Sequence, residues 1–234
     1  MARLFLLHGY VEDRTIFDPL RPLLPSAARA ALVDVELEDA FGKWQPRGPL
    51  NAATLATHLI RLYQIRSQDV LIGHSMGGWI AAHIKQQVGC PVVLLGAFTD
   101  QAKIVSKIRS PLLLGLAVKT GLIHSQYVVR RTKRNYRRDE SRALHAQLTD
   151  GMTRYGRRYV HQQLLVLFAP APPLTITPEL RLHARRDNII RPPDEPYVEL
   201  PGDHFAHYYY PQAAAEAIAR VLAEAGVAGV GEER

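Results

Sequence analysis

The sequence predicts an α/β fold, a mostly parallel sheet flanked by helices, and three observations predict it. Strand-like runs recur at 2–7, 31–37, 69–73, 91–96, 180–184 and 197–200, and 2–7 is apolar as expected of a strand covered on both faces. Helical stretches separate most of them, and strands alternating with helices build parallel sheets. The chain has 234 residues, 47% of them apolar, a length that fits one such domain with an insertion or, less naturally, two small domains.

The first strand, 2–7, turns at His8-Gly9. Ile16, Phe17, Leu20, Leu23 and Leu24 then make a helical stripe over 15–24, stopped by Pro25. A second strand is expected at 31–37 and a helix over 49–65, with Asn51 as N-cap and Leu55, Leu59 and Leu62 on one face. The third strand, 69–73, runs into Gly73-His74-Ser75-Met76-Gly77-Gly78. A helix follows to Val88 and Gly89, and the next buried strand is 91–96. Residues 101–165 break the rhythm with a long, basic stretch of helical character. Strands resume at 180–184 and 197–200. The last helix runs from Pro211 to Ala225 with Gly226 as its stop, and the tail GVGEER is expected to fray.

Composition removes several classes. The single cysteine, Cys90, forbids an intramolecular disulfide. The apolar run Leu4–Leu7 is too short for a signal segment, and Leu112–Val118 is closed by Lys119 and Gly121 well short of a membrane span. A soluble, cytoplasmic protein without a transmembrane segment is expected. No HExxH, Cys/His cluster or Gly-Lys-Ser/Thr occurs, so neither a metal nor another cofactor is expected, and a phosphate loop is excluded. The formal charge is +7 but uneven: 101–165 carries fourteen Lys/Arg against three acids, +11, and the remainder carries −4.

Gly73-His74-Ser75-Met76-Gly77 matches G-x-S-x-G with a strand before it and a helix after it. That chemistry needs the serine on a sharp, strained turn that lifts its hydroxyl above the sheet. Side chains two residues either side would collide, hence Gly73 and Gly77. The N–H of Met76, at the start of the helix, then points at a developing oxyanion, and the helix terminus adds positive potential. A glycine-rich turn carrying a chance serine is the plain alternative, and the strand–turn–helix context argues against it.

With LFLLHGY at the start, GHSMGG, and the segments around Asp187 and His204 in that order, the sequence resembles the α/β-hydrolase superfamily. The match spans residues 2–100 and 180–222. It is similar to small single-domain esterases with an insertion after the sixth strand of the usual fold, and its first strand corresponds to the one usually counted third. The resemblance implies an α/β-hydrolase core over 1–100 and 166–234, with 101–165 as a helical lid over Ser75.

It also implies roles for further residues. The turn His8-Gly9-Tyr10 would supply the second oxyanion donor, the N–H of Tyr10. His204, in Pro201-Gly202-Asp203-His204-Phe205, would be the base; His207 is its rival and more often packs or caps the last helix. His74 would shape the pocket. Asp187, in LHARRDNIIRPP, would orient the base. Ala184 stands where the family usually has glycine, and the proline is one position late; Asp194 and Asp100 are the rival acids. The other histidines read as surface or packing residues on helices or in the insertion.

The expected activity is hydrolysis of a carboxylic ester or thioester through an acyl-enzyme. Acyl transfer, C–C-bond hydrolysis, or a catalytically silent binding role on the same fold are the alternatives. The expected partner is a small-molecule ester. The run Arg130–Arg138 reads either as a solvated helix face or as a landing surface for an anionic substrate or an acyl chain carried by an acidic protein. Tyrosines 127, 136, 155 and 159 interleave with the arginines, but no nucleic-acid-binding fold accompanies them. The sequence does not specify an oligomeric state.

Overall fold

A computed structural model describes residues 2–46, 48–106 and 108–227. The GVGEER tail lies outside the described residues. Six strands form one sheet: β1 (Leu4–Leu7), β2 (Leu32–Asp34), β3 (Val70–His74), β4 (Val92–Leu95), β5 (Leu180–Ala184) and β6 (Val198–Leu200). The spatial order is β2-β1-β3-β4-β5-β6, and every pairing is parallel. The helices are α1 (Ser26–Ala30), α2 (Leu37–Lys43), α3 (Ala52–Tyr63), α4 (Met76–Val88), α5 (Pro111–Lys119), α6 (Gln126–Asn135), α7 (Arg142–Arg154), α8 (Arg157–Phe168), α9 (Ala206–Tyr209) and α10 (Pro211–Glu224).

The continuously apolar strands serve two cores. Phe5, Leu7, Leu71, Val92 and Leu94 pack with α2, α3, α4 and α8 on one face. Leu4, Leu6, Val70, Ile72, Val93 and Leu95 pack with α10 on the other. Successive strand side chains point to opposite faces, so a strand covered on both must be apolar throughout. Burying each such side chain contributes about 1.5–3 kcal/mol.

The predicted caps form. The Asn51 side chain accepts from Thr54 N–H at 3.1 Å while the Thr54 hydroxyl accepts from Asn51 N–H at 3.3 Å, a reciprocal capping box. The stretch 15–24 differs from expectation: it is two 3-10 turns, Arg14–Phe17 and Arg21–Leu23, instead of one helix. Pro19 and Pro22 supply no N–H, and their rings crowd the preceding turn. Ile16, Phe17, Leu20 and Leu24 are buried all the same. The second strand is also shorter than predicted, because Leu37 already opens α2.

Between β4 and β5 lie a 3-10 turn, Gln101–Lys103, and helices α5–α8. α8 reaches Phe168, and its Tyr159, Val166 and Leu167 belong to the main core. The Trp79 indole N–H donates to Val166 O at 3.0 Å. α6 turns a stripe of Tyr127, Arg130, Arg131 and Arg134 outward at helical spacing and buries Val129. Among the described residues no helix is long and apolar enough to cross a membrane.

Candidate active site

The loops after β1, β3, β5 and β6 leave the carboxyl ends of parallel strands, where open α/β sheets place their sites. β3 ends at His74 and α4 begins at Met76, so Ser75 alone makes the turn. Its backbone sits at φ 52° and ψ −118°, which costs about 1–3 kcal/mol for a residue with a side chain. Surrounding bonds hold it there: Ser75 N–H donates to Leu95 O at 3.0 Å, and Ser75 O accepts from Gly78 and Trp79 N–H at 3.1 and 3.2 Å. A Cβ at Gly77 would lie 2.1 Å from Leu7 O, and one at Gly73 2.5 Å from Gly78 Cα. The glycines are therefore steric requirements of the turn.

Asp187 follows β5. Its Oδ1 accepts from Ile189 and Ile190 N–H at 2.8 and 2.9 Å, and its Oδ2 lies 2.8 Å from His204 Nδ1. His183 Nε2 is 3.4 Å from the same oxygen. Burial would raise the Asp187 pKa, but His204, His183 and the Ile190 N–H outweigh it and hold the carboxyl below its usual range. Burial opposes charge on His204; Asp187 and, beyond it, Glu12 overcome this and raise the imidazole above its ordinary value. Because the carboxylate accepts at Nδ1, the neutral ring carries its proton there and leaves Nε2 as the acceptor.

Ser75, Asp187 and His204 are all buried. Ser75 follows His74, whose ring centroid is 4.8 Å from that of His204. Among the described residues no hydrogen bond joins Ser75 Oγ to His204. Such bonds commonly close only when substrate is bound.

In the turn after β1, Gly9 N–H donates to Glu12 Oε2 at 2.5 Å and Val11 N–H to Gln163 Oε1 at 2.9 Å. The N–H of Tyr10, between them, meets no acceptor among the described residues, and neither does that of Met76. These are the two donors the motifs pointed to.

The rival residues make other contacts. His207 stacks on His74 at 4.3 Å between centroids and against Phe17 at 5.8 Å. Burial, then His74 and His204, drive its pKa well below the ordinary value. Asp194 is exposed and pairs with Lys103 at 2.6 Å. Asp100 caps a 3-10 turn by accepting from Ala102 N–H at 2.8 Å.

Glu12 was not singled out in the sequence. Its Oε2 accepts from Gly9 N–H and lies 2.9 Å from His74 Nδ1, while His74 Nε2 lies 3.1 Å from His204 O. Both His74 nitrogens thus face oxygen atoms of neighbouring groups. Burial would raise the Glu12 pKa; His74 outweighs it and the shift is downward. Donor atoms of Glu12, His74 and His204 lie within 4.8 Å of one another, the grouping among the described residues that comes nearest to a metal-ligand set. Glu12 and His74 are already bonded to each other, and His204 is held by Asp187. A hydrogen-bonded network accounts for the cluster.

The 101–165 region touches both sides of the site. Gln163 holds the turn after β1, Tyr155 Oη donates to Glu12 O at 3.4 Å, and the Ser141 hydroxyl donates to Asp203, next to His204.

A model of the alpha/beta hydrolase family matches residues 4–232. The chain belongs to that family. No functionally curated protein matches it in sequence. Among solved structures, the alpha/beta hydrolase chain is similar to a thermophilic esterase from Thermogutta terrifontis, at 17% identity and TM-score 0.66, covering 96% of this chain and 90% of that one. It is similar to the enol-lactonase from Burkholderia xenovorans LB400, at 15% identity and TM-score 0.70, covering 95% and 92%. It also resembles a bromoperoxidase from Bacillus anthracis, at 14% identity and TM-score 0.65, covering 95% and 92%. At these identities the likeness establishes the fold alone.

Proposed function

We propose that this alpha/beta hydrolase is a serine esterase that cleaves a carboxylic ester or thioester through an acyl-enzyme. One observation carries the reading: a serine at positive φ between β3 and α4, whose chain neighbour His74 packs on an imidazole that a buried carboxylate orients. Ser75 Oγ attacks the acyl carbonyl as His204 Nε2 takes its proton. The N–H groups of Tyr10 and Met76 receive the negative charge that forms on the carbonyl oxygen. The carbonyl reforms, the C–O or C–S bond breaks, and the leaving group takes the proton from His204. Water then attacks the acyl-serine, with His204 again as base, releasing the acid and free Ser75. Asp187 stabilises the imidazolium in both steps. The helices of 101–165 act as a lid over the site.

The test is incubation with a fluorophosphonate probe followed by mass mapping of the labelled peptide. Label on Ser75, lost in Ser75→Ala together with p-nitrophenyl acetate hydrolysis, is the expected result. The loss of kcat should be on the order of 10³-fold or more. Label on another residue, or undiminished hydrolysis in Ser75→Ala, rejects the mechanism.

A further inference from the structure

Helix α5 carries its apolar side chains outward. Leu112 is 81% exposed, Leu113 56% and Leu116 57%. At 100° per residue, Leu112 and Leu116 lie 40° apart, Leu113 lies on the flank, and Lys119 falls on the same face one turn on. The opposite side of the helix is already used, since Leu114, Ala117 and Val118 pack with Val160 and Leu164 of α8. The leucine face is thus surplus to the packing of the domain. Beside it runs an open groove of ≈ 660 Å³, walled by Leu112 and Leu116 on one side and by Arg157, Arg158 and His161 on the other. Lys119, Arg157 and Arg158 are exposed and make no ion pair among the described residues.

An apolar ridge lined by unpaired cations is the pattern of a helix that lies in a membrane interface. The leucines enter the acyl boundary while lysine and arginine reach phosphate headgroups. We infer that α5 and the start of α8 form a peripheral docking surface for an anionic phospholipid bilayer. Charge decides between occupants. A second copy meeting this face across a two-fold axis would set Lys119, Arg157 and Arg158 against themselves in a desolvated contact. An anionic bilayer neutralises the cations and accepts the leucines together. The groove is not lined by Ser75, Asp187 or His204, and its assignment stands whether or not the esterase reading holds.

The experiment is co-sedimentation of the full chain with vesicles of phosphatidylcholine alone and of phosphatidylcholine containing about one-third phosphatidylglycerol, over a salt series. Binding to the anionic vesicles, weak binding to the neutral ones, and weakening with salt are expected. Neutralising Lys119, Arg157 and Arg158 to Gln should weaken anionic binding about fivefold per charge. Leu112→Gln, Leu113→Gln and Leu116→Gln together should reduce it to background. All six positions are at the surface, so thermal melting of each variant should match the parent, which separates lost docking from lost folding. Equal partition to both vesicles, no partition to either, or a leucine variant that binds like the parent overturns the inference. So does binding to an acyl carrier protein without binding to vesicles, which assigns the face to an acidic protein. A dimer in sedimentation velocity that the leucine variant dissolves assigns it to self-association and also overturns the inference.

Discussion

Glu12 offers the sharpest test of how the site is held, because one oxygen joins two of its parts. Oε2 accepts from Gly9 N–H, beside the proposed oxyanion donor Tyr10, and from His74 Nδ1, and His74 in turn holds His204 O. Glu12→Gln can place its amide oxygen where Oε2 sits, keeping both contacts and removing only the charge. Glu12→Ala removes the contacts and leaves His74 facing no carboxylate. Removing one partner of a buried pair costs about 3–5 kcal/mol of stability. Losing only the charge assistance of two hydrogen bonds costs about 1–2 kcal/mol.

Glu12 is therefore a positioning residue, and its variants should fall in kcat more than they rise in KM, since the oxyanion donors act on the transition state. Glu12→Ala should lose about 10²-fold in kcat on a soluble p-nitrophenyl ester, the scale of one oxyanion donor. Glu12→Gln should retain most of the activity.

The pH profile adds a readout that simple packing would not move. His204 must be neutral to act as base, so kcat/KM rises as pH rises through its pKa. The Glu12 charge helps raise that pKa. Without it, the acid limb should move to lower pH in Glu12→Gln. Stability gives a second sign. Glu12 has a depressed folded-state pKa, so its contribution is present above the unfolded carboxylate value and lost as pH falls through the folded value. Glu12→Gln should therefore lose less stability on acidification than the parent. If both variants keep the parent's kcat and acid limb, Glu12 is only a packing residue and the positioning argument fails.

Two further outcomes follow from the geometry. His204→Ala and Asp187→Asn should each cost at least 10³-fold in kcat/KM with p-nitrophenyl acetate, while His207→Ala, Asp194→Asn and Asp100→Asn should cost under tenfold; a deadlier His207 or Asp194 variant would reassign the triad. Gly77→Ala should unfold at distinctly lower denaturant concentration than the parent, by at least about 3 kcal/mol, because its Cβ would sit 2.1 Å from Leu7 O, and an unchanged midpoint would mean the turn relaxes freely.

Much of the architecture was legible because its determinants are local. The central strands β1, β3 and β4 read as short apolar runs, Asn51 carries its own capping partner three residues on, and G-x-S-x-G records the crowding at Gly73 and Gly77 in the sequence itself. The elements that departed from expectation are those where one local signal overrode another. Residues 15–24 keep a helical apolar stripe, yet Pro19 and Pro22 allow only 3-10 turns, and burial of Ile16, Phe17, Leu20 and Leu24 is achieved by those turns.

The rest of the site was not legible, because it is made by meetings between distant segments. Asp187 and His204 are 17 residues apart, and the superfamily pattern supplied that pairing. No pattern supplied Glu12, which meets His74 across 62 residues, or Gln163, which reaches Val11 across 152. In the sequence Glu12 is one more polar residue in a turn, although its place three residues after Gly9 allows its carboxylate to return to the Gly9 N–H. The same holds for the insertion. Its charge stands out in the sequence, but which leucines α5 would bury and which it would leave outside depended on where α8 lies. The composition of 101–165 marks the region as unusual; only the packing of Val118 against Val160 and Leu164 fixes the face that remains, and that face sets the leucines beside the arginines.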